Sequence, residues 1–160
     1  MSGQLPVFMD IEFTEADGRP VPTAIAWSLP DGQMKTVVIA PDDEWLDEDG
    51  DLPGVDLAYL EEQGVPLIEL GQALHEDLPD LTVYTDGLDP DDELAEKIFD
   101  SVGLDCPFEL VNAAELFGLD HADFEDRHRL LMSDQALEPQ RPEDVVMGLL
   151  LLARDEGLID

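Results

Sequence analysis

Positive charge is what this sequence has least of. Seven Lys and Arg stand against forty Asp and Glu in 160 residues, a formal net charge of −33. A field of that sign repels phosphate and disfavours a long polyanionic partner. It favours solubility and points to a salt-rich setting, where counterions screen the repulsion between surface charges. Cysteine is almost absent. Cys106 stands alone, which rules out an internal disulfide and fits a reducing compartment. The longest apolar run, "VVMGLLLLA" at 145–153, is too short to span a bilayer. The opening "MSGQLPVFMD" has neither a basic segment nor a long apolar one, so it reads without a signal peptide. The expectation is a cytoplasmic protein with no membrane partner. Also missing are a Gly-rich phosphate loop, a Ser-centred elbow and any Cys/His zinc spacing.

What is present suffices for a core. Apolar residues make up 44% of the chain, which argues against disorder, and the length suits a single domain over residues 1–160. Residues 5–13, 21–29 and 34–40 read as strands joined by the turns "EADGRP" and "PDG", an antiparallel meander. The acidic stretch 41–56 reads as a surface loop carrying Trp45 and Leu46. Helices are predicted at 56–63 and 67–77, the second from the spacing of Leu67, Ile68, Leu70 and Leu74. A strand at 81–86 precedes a helix at 89–103, with Asp89 as its cap and Pro90 at its first position. "FELVNAAELFG" gives a short fifth strand and a turn of helix, and 122–138 reads as a helix ending before Pro139. The last helix starts near Pro142 and is apolar almost all round, so it is buried or supports a partner's interface; a homodimer is permitted but not required. This order predicts an α/β fold: a five-stranded mixed sheet, three antiparallel strands then two parallel, with helices on both faces.

The first strand carries the chemistry. In "VFMDIEF" (7–13), alternation puts Asp10 and Glu12 on one face and Val7, Met9, Ile11 and Phe13 on the other. Two carboxylates side by side repel and lose hydration, so something should compensate. A divalent cation is the simplest candidate. Asp91 and Asp144 both lie where helices begin beside the sheet. If they converge on Asp10 and Glu12, four acids meet, and two magnesium or manganese ions would neutralise them. Each acid also has a plainer reading. Asp10 and Glu12 suit an exposed strand end, and Asp91 and Asp144 suit first-turn positions favoured by the helix dipole. Arg127, Arg129, Arg141 and Arg154 gather towards the C-terminus; they either balance nearby acids or form a small phosphate-binding patch.

"DIEFT" (10–14), "YTDGLDPDDELAEKIF" (84–99), "FELVNAAELFGLD" (108–120) and the C-terminal helix, taken in this order, resemble the motifs of the DEDD 3′–5′ exonucleases. Within that superfamily the chain is similar to small single-domain bacterial exoribonucleases. The resemblance implies a ribonuclease H-like fold and two divalent ions. Asp10 would bridge both, Glu12 and Asp144 would hold the ion that binds the attacking water, and Asp91 would support the second. The ungapped match puts the second-motif aspartate on Asp91 rather than on Asp86 or Asp89. The family expects a general-base histidine five residues before the last aspartate, and here that position is Pro139. His128, in "DRHRLLMSD", is the nearest substitute. It could pair with Asp134 as the motif or reach the cleft from the preceding helix; Asp144 is preferred because the buried helix starts there. The implied activity is metal-dependent 3′–5′ hydrolysis of short single-stranded RNA or DNA. The rival is a ribonuclease H-like domain that no longer catalyses and serves as an acidic binding or interaction protein, which the displaced histidine and the charge favour.

Overall fold

The computed structural model describes residues 5–86, 88–139 and 141–158, with the backbone alone for Leu88 and Asp89. Strand β1 (Val7–Ala16) turns into β2 (Arg19–Ser28) through Asp17 and Gly18. Both turn residues have positive φ, 53° and 78°, the two-residue Asp-Gly hairpin that suits the right-handed twist of the paired strands. The meander continues into β3 (Met34–Val38), followed by α1 (Leu57–Gln63) and α2 (Leu67–Asp77). Next come β4 (Thr82–Thr85), α3 (Leu88–Ser101), β5 (Glu109–Asn112), α4 (Ala113–Phe117), α5 (His121–Asp134) and α6 (Pro142–Asp155). The sheet order is β3-β2-β1-β4-β5. β1 pairs antiparallel with β2 and parallel with β4, and β5 is parallel to β4. This is the mixed sheet expected from the sequence, with β1 at its centre.

Both faces of the sheet are covered, so β1 is buried without a gap from Val7 to Ile11, as a strand between two helical layers must be. Val7, Met9 and Ile11, with Ile25, Trp27 and Val83, pack under α2 and α3. Phe8 and Ala26 belong to the other face, beneath α4, α5 and α6. α6 spends its apolar sides inside this second core: Val145, Val146, Leu149, Leu152 and Ala153 are all buried. Burying each such valine or leucine contributes about 1.5–3 kcal/mol, so α6 holds that layer on the sheet. No helix among the described residues is long and apolar enough to cross a membrane.

Several local expectations change. Phe13 is 41% exposed rather than buried with Ile11. The register of β1 against β2 shifts between Glu12 and Phe13, and such an irregularity breaks the alternation on which the face assignment rested. The acidic stretch 41–56 is not wholly superficial, because Trp45 and Leu52 enter the core beneath it. Helix α5 stops at Asp134, short of residue 138. Ala136 takes positive φ, 56°, and the Leu137 N–H bonds back to the Met132 carbonyl at 2.8 Å, a left-handed closure that lets Leu137 pack on the core. Helix α3 begins at Leu88, one residue earlier than expected. The expected cap, Asp89, has its side chain outside the described residues.

Candidate metal centre

Because β1 and β4 are parallel with Met9 opposite Thr85, the next residues, Asp10 and Asp86, emerge side by side. They stand just past the last paired residues of the parallel β1–β4 ladder, Asp10 within β1 and Asp86 immediately after β4. α3 follows at once and carries Asp91 in its first turn. Asp10, Asp86 and Asp91 each present one oxygen, and these oxygens lie within 4.8 Å of one another. Asp91 is held in place from both strands: the Thr85 hydroxyl donates to its Oδ2, and the Ile11 backbone adds another hydrogen bond.

The electrostatics of this cluster are costly. Asp10 is 7% exposed and Asp91 4%. Burial, reinforced by Asp86, Asp91 and Glu12, pushes the Asp10 carboxyl up to about 10. Burial also pushes Asp91 up to about 8, against the Thr85 and Ile11 hydrogen bonds that favour its ionised form. Asp86 is raised chiefly by burial, with the His128 ring pulling the other way. The Oδ2 of Asp10 is buried and has no hydrogen-bond partner among the described residues. A buried carboxylate oxygen without a donor is destabilising unless a cation meets it. Three hard oxygen donors around such an atom match the preference of magnesium and manganese. The residues therefore fit the ion expected from the sequence.

The remaining candidates stand around this triplet. Glu12 neighbours Asp10 and shares a hydrogen bond with it; burial raises its carboxyl, and Asp86 and Glu143 add to the shift. Asp144 lies in the first turn of α6, where its Oδ2 accepts the Glu138 N–H at 3.0 Å. It supplies none of the three converging oxygens. The α6 acid whose charge reaches Glu12 is Glu143, which binds Arg141 Nε at 2.9 Å and accepts from the Thr36 hydroxyl at 3.3 Å. His128 is buried on α5, with Nδ1 3.9 Å from Asp86 Oδ2. Burial pulls its ring below the usual imidazole range, against the opposing pull of Asp86 and of the Val145 carbonyl. Arg127 pairs with Glu156, Arg129 with Asp126 and Arg141 with Glu143, so these three arginines balance nearby acids. Asp86 is the residue the sequence reading passed over. Its signal was position: it directly follows the strand that lies parallel to the acid-bearing one.

No family model and no curated protein matches the chain. Solved structures do. Against E. coli exonuclease I in complex with a dA16 oligonucleotide the TM-score is 0.67 at 15% identity, covering 92% of this chain and 39% of that one. Exonuclease I with SSB and the inhibitor CFAM gives 0.56 at 15% identity, covering 92% and 40%. A chain of the yeast NOT1 MIF4G domain co-crystallised with CAF1 gives 0.60 at 12% identity, covering 94% and 79%. The fold is ribonuclease H-like. The chain thus spans about two fifths of the exonuclease I chains it resembles. At these identities the likeness speaks for the fold, and the chemistry must be argued from the side chains.

Proposed function

We propose that this chain is a single exonuclease-like domain that hydrolyses phosphodiester bonds at the 3′ ends of short single-stranded RNA or DNA, with magnesium or manganese ions held by its carboxylates. The observation that carries the reading is the convergence of Asp10, Asp86 and Asp91 around an unpartnered buried oxygen. Divalent ions bound there would supply charge stabilisation and an activated water for in-line displacement. Asp10, Asp86 and Asp91 would hold the first ion. Glu12 would share the second with an acid of α6. By resemblance that acid is Asp144, which would exchange the Glu138 amide for the ion. His128 is the base candidate, its ring already beside Asp86.

The charge constrains the substrate. With Arg127, Arg129 and Arg141 each engaged by an acid, little remains to track a phosphate backbone, and non-specific affinity rises with the number of phosphates neutralised. Few nucleotides beyond the scissile bond can be held, which is why short ends are the proposed substrate. The rival reading, a non-catalytic acidic binding protein, draws on Pro139 standing at the expected histidine position. It would be favoured by Arg141 occupying the metal position, but Arg141 points to solvent on Glu143.

The test is manganese calorimetry on wild type and Asp10→Asn, with a fluorescent oligonucleotide cleavage assay alongside. Two binding events lost in the variant, with stepwise shortening from the 3′ end by the wild type alone, are expected. Weak binding spread over many acids, unchanged by the substitution and without shortening, would replace the nuclease by the acidic binding domain.

A further inference from the structure

His128 lies on α5, ahead of the position at which the resemblance expects the histidine, and its ring is held on several sides. Its Nε2 lies 3.3 Å from the Val145 carbonyl oxygen. A carbonyl oxygen only accepts, so the nitrogen that bonds it carries the proton. In the neutral ring Nδ1 is then bare. That nitrogen stands 3.9 Å from Asp86 Oδ2, too far for a direct hydrogen bond, so Asp86 does not consume it.

The plane of the ring is fixed from the sheet. Phe124, one turn earlier on α5, stacks on His128 with centroids 5.7 Å apart and 19° between planes. Phe117 stacks on Phe124 at 5.8 Å and 16°, and Phe8 of β1 stacks on Phe117 at 6.4 Å and 7°. A ladder of rings therefore runs from the central strand to the histidine. The Nε2–Cδ2 edge meets α6 at Gly148. A Cβ there would come within 2.9 Å of Nε2, 3.2 Å of Cδ2 and 2.8 Å of Met132 Cγ. Gly148 sits in the middle of α6, where glycine costs roughly 1 kcal/mol relative to alanine. Space for the ring accounts for a residue that helix propensity disfavours. The ring is not sealed off: a cavity of about 470 Å³ opens beside it, lined by His128 and Asp86 together with Leu137 and Pro139.

We propose that Gly148 and the Val145 carbonyl form a slot in α6 that holds His128 with its proton on Nε2 and its bare Nδ1 turned towards the acid cluster, which makes Gly148 a positioning residue. Its catalytic meaning rests on the nuclease reading above, in which Nδ1 is the atom that takes the proton of the attacking water. The slot itself rests on α5 and α6 alone. It also explains how a base can serve this site although the motif position holds proline: the ring comes from α5, and α6 presents no side chain where it enters.

The experiment is long-range proton–nitrogen correlation on histidine-labelled protein, above neutral pH and in chelator, which reports the protonated nitrogen of each of the three histidines. His128→Ala assigns the signal. The wild type should show His128 protonated on Nε2. Gly148→Ala should lose that pattern for a mixture of tautomers, and in the cleavage assay it should lower kcat by about 10²-fold with KM unchanged, the scale of a misplaced base. Phe124→Leu adds no Cβ but removes the stacked ring, so it should also mix the tautomers if Gly148→Ala fails to fold. A wild-type ring protonated on Nδ1, or a folded Gly148→Ala with the pattern intact, overturns the slot. The expected pattern in a wild type that cleaves nothing confirms the slot and overturns its catalytic role together with the nuclease reading.

Discussion

Replacing Asp10 by asparagine should stabilise the metal-free protein, although it removes a buried group at the centre of the fold. Asp10 is held up to about 10 by burial and by Asp86, Asp91 and Glu12, whereas its unfolded value is 3.8. Between those limits the native state keeps a proton that the unfolded chain has released, so stability falls as pH rises. The slope is about 1.4 kcal/mol per pH unit, which amounts to about 4 kcal/mol lost by pH 7 relative to acid below the unfolded value. Asparagine keeps the shape and carries no charge to desolvate. Because neighbouring acids share the strain, about half of that figure, roughly 2 kcal/mol, should be recovered, a rise in Tm of roughly 4–8 °C for a domain of this size. The assay is thermal unfolding of both proteins in chelator, from pH 5 to pH 8, and again in millimolar manganese. In chelator the variant should be the more stable, by a margin that widens with pH. Manganese should raise the wild type through preferential binding to the folded state and leave the variant where it was. The surface charge is common to both proteins apart from this one residue, so its own pH dependence largely cancels in the difference. A variant less stable than the wild type in chelator, or one that manganese raises equally, would refute the claim that an ion relieves this cluster.

Two further outcomes follow from the geometry. Asp86→Asn should weaken manganese binding by at least about tenfold in calorimetry, the loss typical of disturbing a metal's surroundings; an unchanged affinity would remove Asp86 from the ligand set. Gly64→Ala should destabilise by about 1–3 kcal/mol in denaturant unfolding, because its Cβ would come within 2.3 Å of the Leu60 carbonyl oxygen and 2.4 Å of the Ala40 nitrogen, backbone atoms that cannot swing aside; a midpoint equal to the wild type would show that α1 can shift away from the segment after β3.

Local patterns carried most of the architecture into the sequence. The period-two alternation of 7–11 places Asp10 opposite Met9 and Ile11 whatever the tertiary context, because adjacent side chains on a strand leave opposite faces. Asp17-Gly18 announces its hairpin, since both residues tolerate positive φ. The nearly all-round apolar surface of 145–153 demands burial, and α6 buries all of it except Met147 and part of Leu151. The charge, too, was legible from composition alone, and with it the difficulty of binding a long nucleic acid.

Proximity across the fold was not legible. Phe13 left the core through a register shift against β2, a property of two strands together. Asp86 was passed over because a motif match along one chain weighs spacing, whereas its closeness to Asp10 comes from the parallel pairing of β1 with β4. Asp144 lies in the first turn of α6, as its sequence suggested, and the left-handed closure after α5 sets the Glu138 N–H on its carboxylate. His128 stands six residues before the end of α5 in sequence; only the packing of α5 on α6, with Gly148 at the crossing, sets its ring beside the acids. The sequence by itself determined which segments are strands and helices, most of the faces they bury and how acidic the surface must be, because those depend on neighbours within a turn or a pleat. The tertiary structure decided which carboxylates share a site and which nitrogen faces them, because angstrom-scale distances between remote residues are set by how whole elements pack.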